Sequence, residues 1–286
     1  MNEGARKVGK VLSASEIENY RKSGIHFPLR AFTTGEAGEL ARKAESTKAM
    51  MGGKFAGRYN QKPHLLFTWL NELVRTPKIL DAVEDILGSE DILCWAGSFF
   101  AKGPGDGSFI TWHQDATYWG LSSPDVVTAW VALTPSTVES GCMKVVPGTH
   151  LTQLEHEDSF HEKNLLSRGQ EIAAEVNEAD AVSVILQPGE FSLHHVLLVH
   201  GSEPNRAALP RIGYAIRYVP PHLRQITGER DCATLVRGRD RFNNFDHEEP
   251  PKADMDAAAI EQHAGVIDAK TRILYRGARK PALSAS

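Results

Sequence analysis

HHVLLVHGSEPNRAALPRIGYAIRYVP, residues 194–220, decides how this chain is read. Its second half, RIGYAIRYV at 211–219, alternates with period two. On an extended strand Arg211, Gly213, Ala215 and Arg217 share one face, and Ile212, Tyr214, Ile216 and Tyr218 share the other. The second face is bulky and apolar, as a strand packed on a core requires. The first is small and basic, which suits a wall that must admit a ligand.

Working outward, short apolar runs recur at 91–101, 108–113, 127–133, 142–147, 182–186 and 191–200, punctuated by Gly, Pro, Asp and Ser. Many short strands with turn signals predict a sandwich or barrel of the jelly-roll kind, so the fold class is mainly β with flanking α. Upstream the pattern is helical. Ser13 and Glu16 make a capping-box pattern before IENYRKSG, which stops at Gly24. A second helix is predicted over 35–50, and a third runs from Thr76 as N-cap and Pro77 to Gly88, with Ile79, Leu80, Val83, Ile86 and Leu87 as its apolar stripe. Helices placed before the strands should pack on the outside of one sheet.

The polar segment 151–180 is long for a connection, and is expected to hold its own helix or act as a lid. DMDAAAIEQHAGVIDAKTRILYRG, at 254–277, can form one helix despite Gly265, and the final KPALSAS reads as frayed. No repeat or linker divides the chain. A single domain is expected over 1–286: helical over about 12–90, a jelly-roll core over about 91–220, and a C-terminal extension over 221–286.

Composition narrows the function classes. Net charge is −4, so no basic footprint favours nucleic acid. Three cysteines, Cys94, Cys142 and Cys232, are odd in number and lack CxxC spacing, which argues against a disulfide framework or a zinc-thiolate site. No apolar run reaches the ~18 residues that span a bilayer, and MNEGARKVGKVLSASE lacks a signal-peptide core. A cytoplasmic protein with a small-molecule substrate, no nucleic acid and no membrane partner is the expectation. A homodimer is among the oligomeric options left open.

FITWHQDATYW at 109–119 supplies the chemistry. If 108–115 were one strand, His113 and Asp115 would project together while Gln114 pointed away. Such a pair holds two adjacent corners of a coordination octahedron. His200 is the best candidate for the third. Two His and one carboxylate leave three positions open, the arrangement of an oxygen-activating Fe(II) centre. Arg211, eleven residues on, offers a two-pronged guanidinium to a carboxylate, which lysine cannot do.

At this point the chain resembles the phytanoyl-CoA dioxygenase family of Fe(II)/2-oxoglutarate-dependent oxygenases. The resemblance is carried by WHQD at 112–115, AWVAL at 129–133, SGCMKVVPGTH at 140–150, HGSEPN at 200–205, RIGYAIRYVP at 211–220 and PKILDAVEDILG at 77–88. It implies a double-stranded β-helix core, and His113, Asp115 and His200 as iron ligands. It also implies Arg211, helped by Ser202, on the distal carboxylate of 2-oxoglutarate, with Trp130 near the cosubstrate. The cofactors implied are Fe(II), 2-oxoglutarate and O2, and the activity is hydroxylation of an unactivated C–H bond with release of succinate and CO2. Related halogenases carry a small residue where this chain has Asp115, so hydroxylation is favoured over halogenation. Desaturation, ring closure and epimerisation use the same centre and stay open. So do a silent jelly-roll binding protein and an iron cupin that works without 2-oxoglutarate.

For substrate, Arg217 shares the cavity face with Arg211 and could meet an anionic group. Lys102, Tyr118, Asn60 and Arg58 are further candidates, among Lys54, Tyr59, His64, Ser98, Thr117 and Trp119. An acid-bearing polar metabolite is favoured over a coenzyme A thioester, for whose phosphates no basic surface stands out. By strand parity His194 faces the side of His200 and His195 the other, unless a bulge swaps them. His156 and His161, in an acidic run, read as solvated.

Overall fold

The structure, a computed structural model, describes residues 9–276; the expected frayed KPALSAS end and the first eight residues lie outside them. Two sheets, antiparallel except for the β12–β13 pair, face each other. The larger has seven strands: β1 (Ile25–Arg30), β9 (Glu190–His195), β4 (Val127–Ala132), β11 (Arg211–Val219), β2 (Ile92–Lys102), β12 (Cys232–Arg237) and β13 (Asp246–His247), in that spatial order. The smaller has four: β3 (Ile110–His113), β10 (Val199–Ser202), β5 (Met143–Val146) and β8 (Val182–Val184). β6 (His156–Asp158) and β7 (Gln170–Ile172) form a separate hairpin. The expected jelly roll is this pair of sheets.

The two faces of β11 part as its sequence dictates. Ile212, Tyr214, Ile216 and Tyr218 join the main apolar core, between the larger sheet and the helices α2 (Thr34–Met50), α3 (Thr68–Leu73) and α4 (Pro77–Leu87). Gly213, Ala215 and the two arginines face the smaller sheet. Gly213 cannot be larger, because the Trp130 ring lies across it and a Cβ would fall 2.0 Å from that ring. α1 (Ala14–Ser23) has the expected capping box, Ser13 with Glu16, and ends on Gly24 in the left-handed region. α2 carries a second one, Thr33 with Glu36. α4 begins at Pro77 and ends at Gly88 as expected, but the Thr76 hydroxyl turns back to the Leu73 carbonyl instead of capping it.

Several expectations need correction. The run 191–200 is two strands in two sheets, since the chain crosses between them at 196–198. β1 was not foreseen: Pro28 masks it, and it is tolerated because β1 is an edge strand with β9 as its one partner. Segment 151–180 holds no α-helix among the described residues; its polar residues pair as the β6–β7 hairpin instead. Among the described residues, 221–276 add two strands and a helix. β12 extends the larger sheet beside β2, and α5 (Ala257–Leu274), capped by Asp256, packs against it. Buried Glu248 pairs with buried Lys62, and His263 Nε2 donates to the Gln61 carbonyl at 2.7 Å. All three cysteines are unpaired, and no described helix is long and apolar enough to cross a membrane.

Candidate metal centre

β3 and β10 lie side by side with His113 directly opposite His200, and their rings are 4.1 Å apart. Each imidazole is held the same way. His113 Nδ1 donates to the Thr111 carbonyl at 2.9 Å, and His200 Nδ1 to the Leu198 carbonyl at 2.8 Å. A carbonyl only accepts, so Nδ1 carries the proton in both rings and Nε2 is left as a bare donor atom toward the centre. Asp115 reaches the same point by another route than strand parity. β3 ends at His113, and Asp115 opens a 3-10 turn, with its N–H fixed on the Val196 carbonyl at 3.0 Å. Its Oδ1 lies 3.3 Å from His113 Nε2.

The ligand atoms of His113, Asp115 and His200 all lie within 4.8 Å of one another, and all three residues are buried. Burial alone would raise Asp115, but the neighbouring His113 and the charge of Arg217 outweigh that and hold the carboxyl well below its usual range. Burial, then neighbouring His113, depress His200, so the imidazole is neutral. Two imidazoles and one carboxylate are the donor set of a divalent metal ion with open positions.

One cavity joins this cluster to Arg211, Ser202, Trp130, Arg217 and His194. Arg211 is buried, with Nη1 donating to the Gly141 carbonyl at 2.9 Å, while Nε and Nη2 have no partner in the protein. Burial lowers it to about 10, which leaves it a cation at neutral pH. Unpaired buried N–H groups on a cation are costly unless a ligand accepts from them. The Trp130 ring flanks the guanidinium, 5.2 Å away. A larger cavity, about 460 Å³, lies beside Trp112, Lys144, Glu171 and Glu178. Lys144 there pairs with Glu178 at 3.8 Å and with Glu203 at 3.6 Å, and none of the three clustered residues reaches it.

The other candidates are placed as follows. Arg217 lines the triad's cavity, its Nη1 donating to Ser98 Oγ at 2.6 Å. Lys102 belongs to the Arg211 end. It is fully buried, stands opposite Arg211 in the β2–β11 register, and donates to Ser202 Oγ at 2.6 Å. Tyr118 turns away, under Arg168, whose Cζ is 3.7 Å from the ring centre. Asn60 exchanges both amide groups with the backbone of Phe99, and Arg58 donates to Ala264 O and Asp268 on α5. Neither lines the cavity. Lys54 is exposed, and His64 is buried 3.7 Å from Glu248.

Sequence reasoning passed over two residues here. Gln114 does point away from the centre, and there its amide ties three segments: Nε2 donates to Leu197 O at 2.7 Å and Thr152 O at 2.8 Å, and Oε1 accepts from Leu154 N at 2.7 Å. His156, expected to be solvated, is half-buried; its Nε2 accepts the Gln114 N–H at 2.9 Å, between the two β3-side ligands. Parity placed His194 and His200 together for the wrong reason. Their rings are 5.1 Å apart because the crossover at 196–198 brings the ends of two sheets together. His195 instead meets His150, at 5.1 Å.

Comparison with known proteins agrees. The family model for phytanoyl-CoA dioxygenase (PhyH) matches residues 2–213. A probable alpha-ketoglutarate-dependent hypophosphite dioxygenase of Stutzerimonas stutzeri is 27% identical over 227 residues, 75% of this chain and 76% of that protein. Among solved structures, the non-heme monooxygenase ThoJ in its apo form is 34% identical with a TM-score of 0.80, over 91% of this chain and 97% of that one. CytC3 with Fe(II) and alpha-ketoglutarate, 22% identical with a TM-score of 0.63 over 87% of this chain and 96% of that one, shares the fold. The bare Nε2 atoms, the adjacent carboxylate and the unpaired guanidinium fit iron and a dicarboxylate. The chain belongs to the phytanoyl-CoA dioxygenase family, the Fe(II)- and 2-oxoglutarate-dependent oxygenases.

Proposed function

We propose that the protein hydroxylates an unactivated C–H bond of a small polar metabolite, with His113, Asp115 and His200 holding the iron and Arg211 the cosubstrate. The observation that carries the reading is Arg211: a buried guanidinium with two unpaired nitrogens in the same cavity as the three-residue cluster. A two-pronged carboxylate satisfies both nitrogens at once. Lys102 and Ser202 stand beside it and can donate to the same carboxylate, and Trp130 closes the wall. When bound, iron and 2-oxoglutarate would activate O2, the oxidant, one of whose oxygen atoms goes to the substrate hydroxyl and the other to succinate as CO2 is released.

The chain's own residues do the rest. The carbonyls of Thr111 and Leu198 fix the two imidazole tautomers, so no proton competes for Nε2. Asp115, held ionised, neutralises part of the metal's charge and occupies the position that halogenation would need open. Burial of the whole cluster excludes bulk water from the reacting centre.

Under anaerobic conditions the protein with Fe(II) should bind 2-oxoglutarate and show a weak visible charge-transfer absorption. His113→Ala should abolish the absorption, and Arg211→Ala should weaken 2-oxoglutarate binding by tenfold or more. A screen of small metabolites read by succinate release then identifies the substrate. Wild-type protein that binds neither iron nor 2-oxoglutarate would end this reading.

A further inference from the structure

Three neighbouring strands of the larger sheet carry one polar row on their inner face. In register across β9, β4 and β11 stand His194, Thr128 and Arg217. All three are buried, and all line the cavity of the metal cluster. Each has an atom with no partner in the protein: His194 Nδ1, Thr128 Oγ1 and Arg217 Nε. One such atom can be an accident of packing. Three in a row, facing one cavity beside a metal cluster, leave a set of hydrogen-bonding groups without acceptors or donors.

The guanidinium is held in place for a ligand. Ser98 accepts from Arg217 Nη1 at 2.6 Å, and the rings of Phe100 and Trp119 lie 5.5 and 5.8 Å from its Cζ. Opposite Arg217 and Tyr218 the register shifts by one residue on β2, which leaves Trp95 without a partner on β11, while β11 stays in step with β4. Arg211 and Arg217 are six residues apart on one strand, about 20 Å along the backbone. Arg217 acts on Asp115, whereas Arg211 acts on Lys102. The two arginines therefore serve opposite ends of the cavity.

Charge then separates their roles. On the proposed reading, Asp115 and the two carboxylates of 2-oxoglutarate are taken up by the two charges of iron, by Arg211 and by Lys102 once it is protonated, so no negative charge remains for Arg217. The positive charge of Arg217 is left over. Lys270 and Asp231 both engage Trp95, the first 4.4 Å over its ring and the second accepting from its Nε1 at 2.8 Å. A buried cation without a counter-charge is costly, and an anion that enters with the substrate would remove that cost.

We propose that Arg217, Thr128 and His194 form the subsite for a carboxylate of the substrate, which orients it over the metal. This rests on the oxygenase reading above and adds the substrate class, an organic acid. The alternative role for Arg217 is internal, as a counter-charge to Asp115 alone.

The test uses the full chain, anaerobic, loaded with Fe(II) and saturated with 2-oxoglutarate, and titrated with acetate or with acetamide as its neutral counterpart. Binding is read by calorimetry and by the shift of the visible absorption. The expected result is saturable acetate binding at least tenfold tighter than acetamide. Arg217→Met and Arg217→Lys should both weaken acetate tenfold or more, the lysine because it lacks the fork. Should Arg217→Met fail to fold with Asp115 left unpaired, Thr128→Val and His194→Leu leave that pair intact and should each weaken acetate at least threefold. Binding of 2-oxoglutarate should change less than twofold in these variants. Equal binding of acetate and acetamide, no saturable acetate binding, or acetate affinity unchanged in the variants would each overturn the subsite. Absence of the 2-oxoglutarate absorption in wild type would instead strike the oxygenase reading, so the two failures are distinguishable.

Discussion

Gln114 sits between two candidate metal ligands yet contacts neither the cavity nor solvent. Its amide fastens the β3 turn to the crossover before His200 and to the segment after Leu151. Gln114→Leu keeps the volume and removes those bonds, leaving buried carbonyls unpaired. We expect a stability loss of about 2–3 kcal/mol in denaturant melts, and metal affinity down by ~10-fold or more in titrations; native values for both would refute the positioning role. Lys102 gives a pH prediction. Burial, then the charge of Arg211, lower it to about 6, so the free protein holds it largely neutral at pH 7.5. A carboxylate arriving at Arg211 favours the charged amine and raises its pKa. Protons are therefore taken up on binding between the lower and the raised value, and 2-oxoglutarate affinity falls as pH rises through that window. Calorimetry in two buffers of different ionisation enthalpy should show uptake approaching one proton, absent in Lys102→Met. Equal heats in both buffers would count against it. HxD, His200 and Arg211 were legible in the sequence because their chemistry is rare at that spacing. Gln114 and His156 were not, because an amide or imidazole spent on backbone groups looks the same in sequence as a solvated one.

The β6–β7 hairpin is tied to β3 through His156 and Gln170, and its connecting loop meets the C-terminal helix at Arg168. Arg168 donates through Nε to Asp158 at 3.0 Å and through Nη1 to the Leu274 carbonyl at 3.1 Å, and it stacks on Tyr118, three residues beyond Asp115. Tyr275 adds a bond from its hydroxyl to Ser167 O at 2.9 Å. Segment, metal-side turn and C-terminal helix thus meet at one guanidinium. Arg168→Ala should loosen the hairpin while the two sheets stay intact. Proteolysis within 155–170 should speed several-fold, with the melting transition shifted by about 1–2 kcal/mol at most. Unchanged cleavage would show that the hairpin is held elsewhere. From sequence this segment read as polar and long, and no more. Its strands are three residues each, too short for a period to show, and its anchors lie far along the chain, at Thr111 and Gln114 on one side and at Leu274 and Tyr275 on the other.

For the molecule as a whole, His113, Asp115 and His200 join a 3-10 turn and two strands of the smaller sheet, so metal should stabilise the entire fold. At a hundredfold excess over its dissociation constant, a bound ion adds about 2.7 kcal/mol, a rise of several degrees in melting temperature for a chain of this size. Chelation should reverse it, and Asp115→Ala should remove it. A melting temperature indifferent to divalent metal would show that the cluster does not bind one. The sequence by itself determined the layer order, the two faces of β11, the capping box of α1 and the donor types, because each is written in local period, capping chemistry or residue identity. Tertiary structure decided which polar residues share the cavity. The row of His194, Thr128 and Arg217 comes from three strands that are distant in sequence, and only their pairing register puts those side chains side by side.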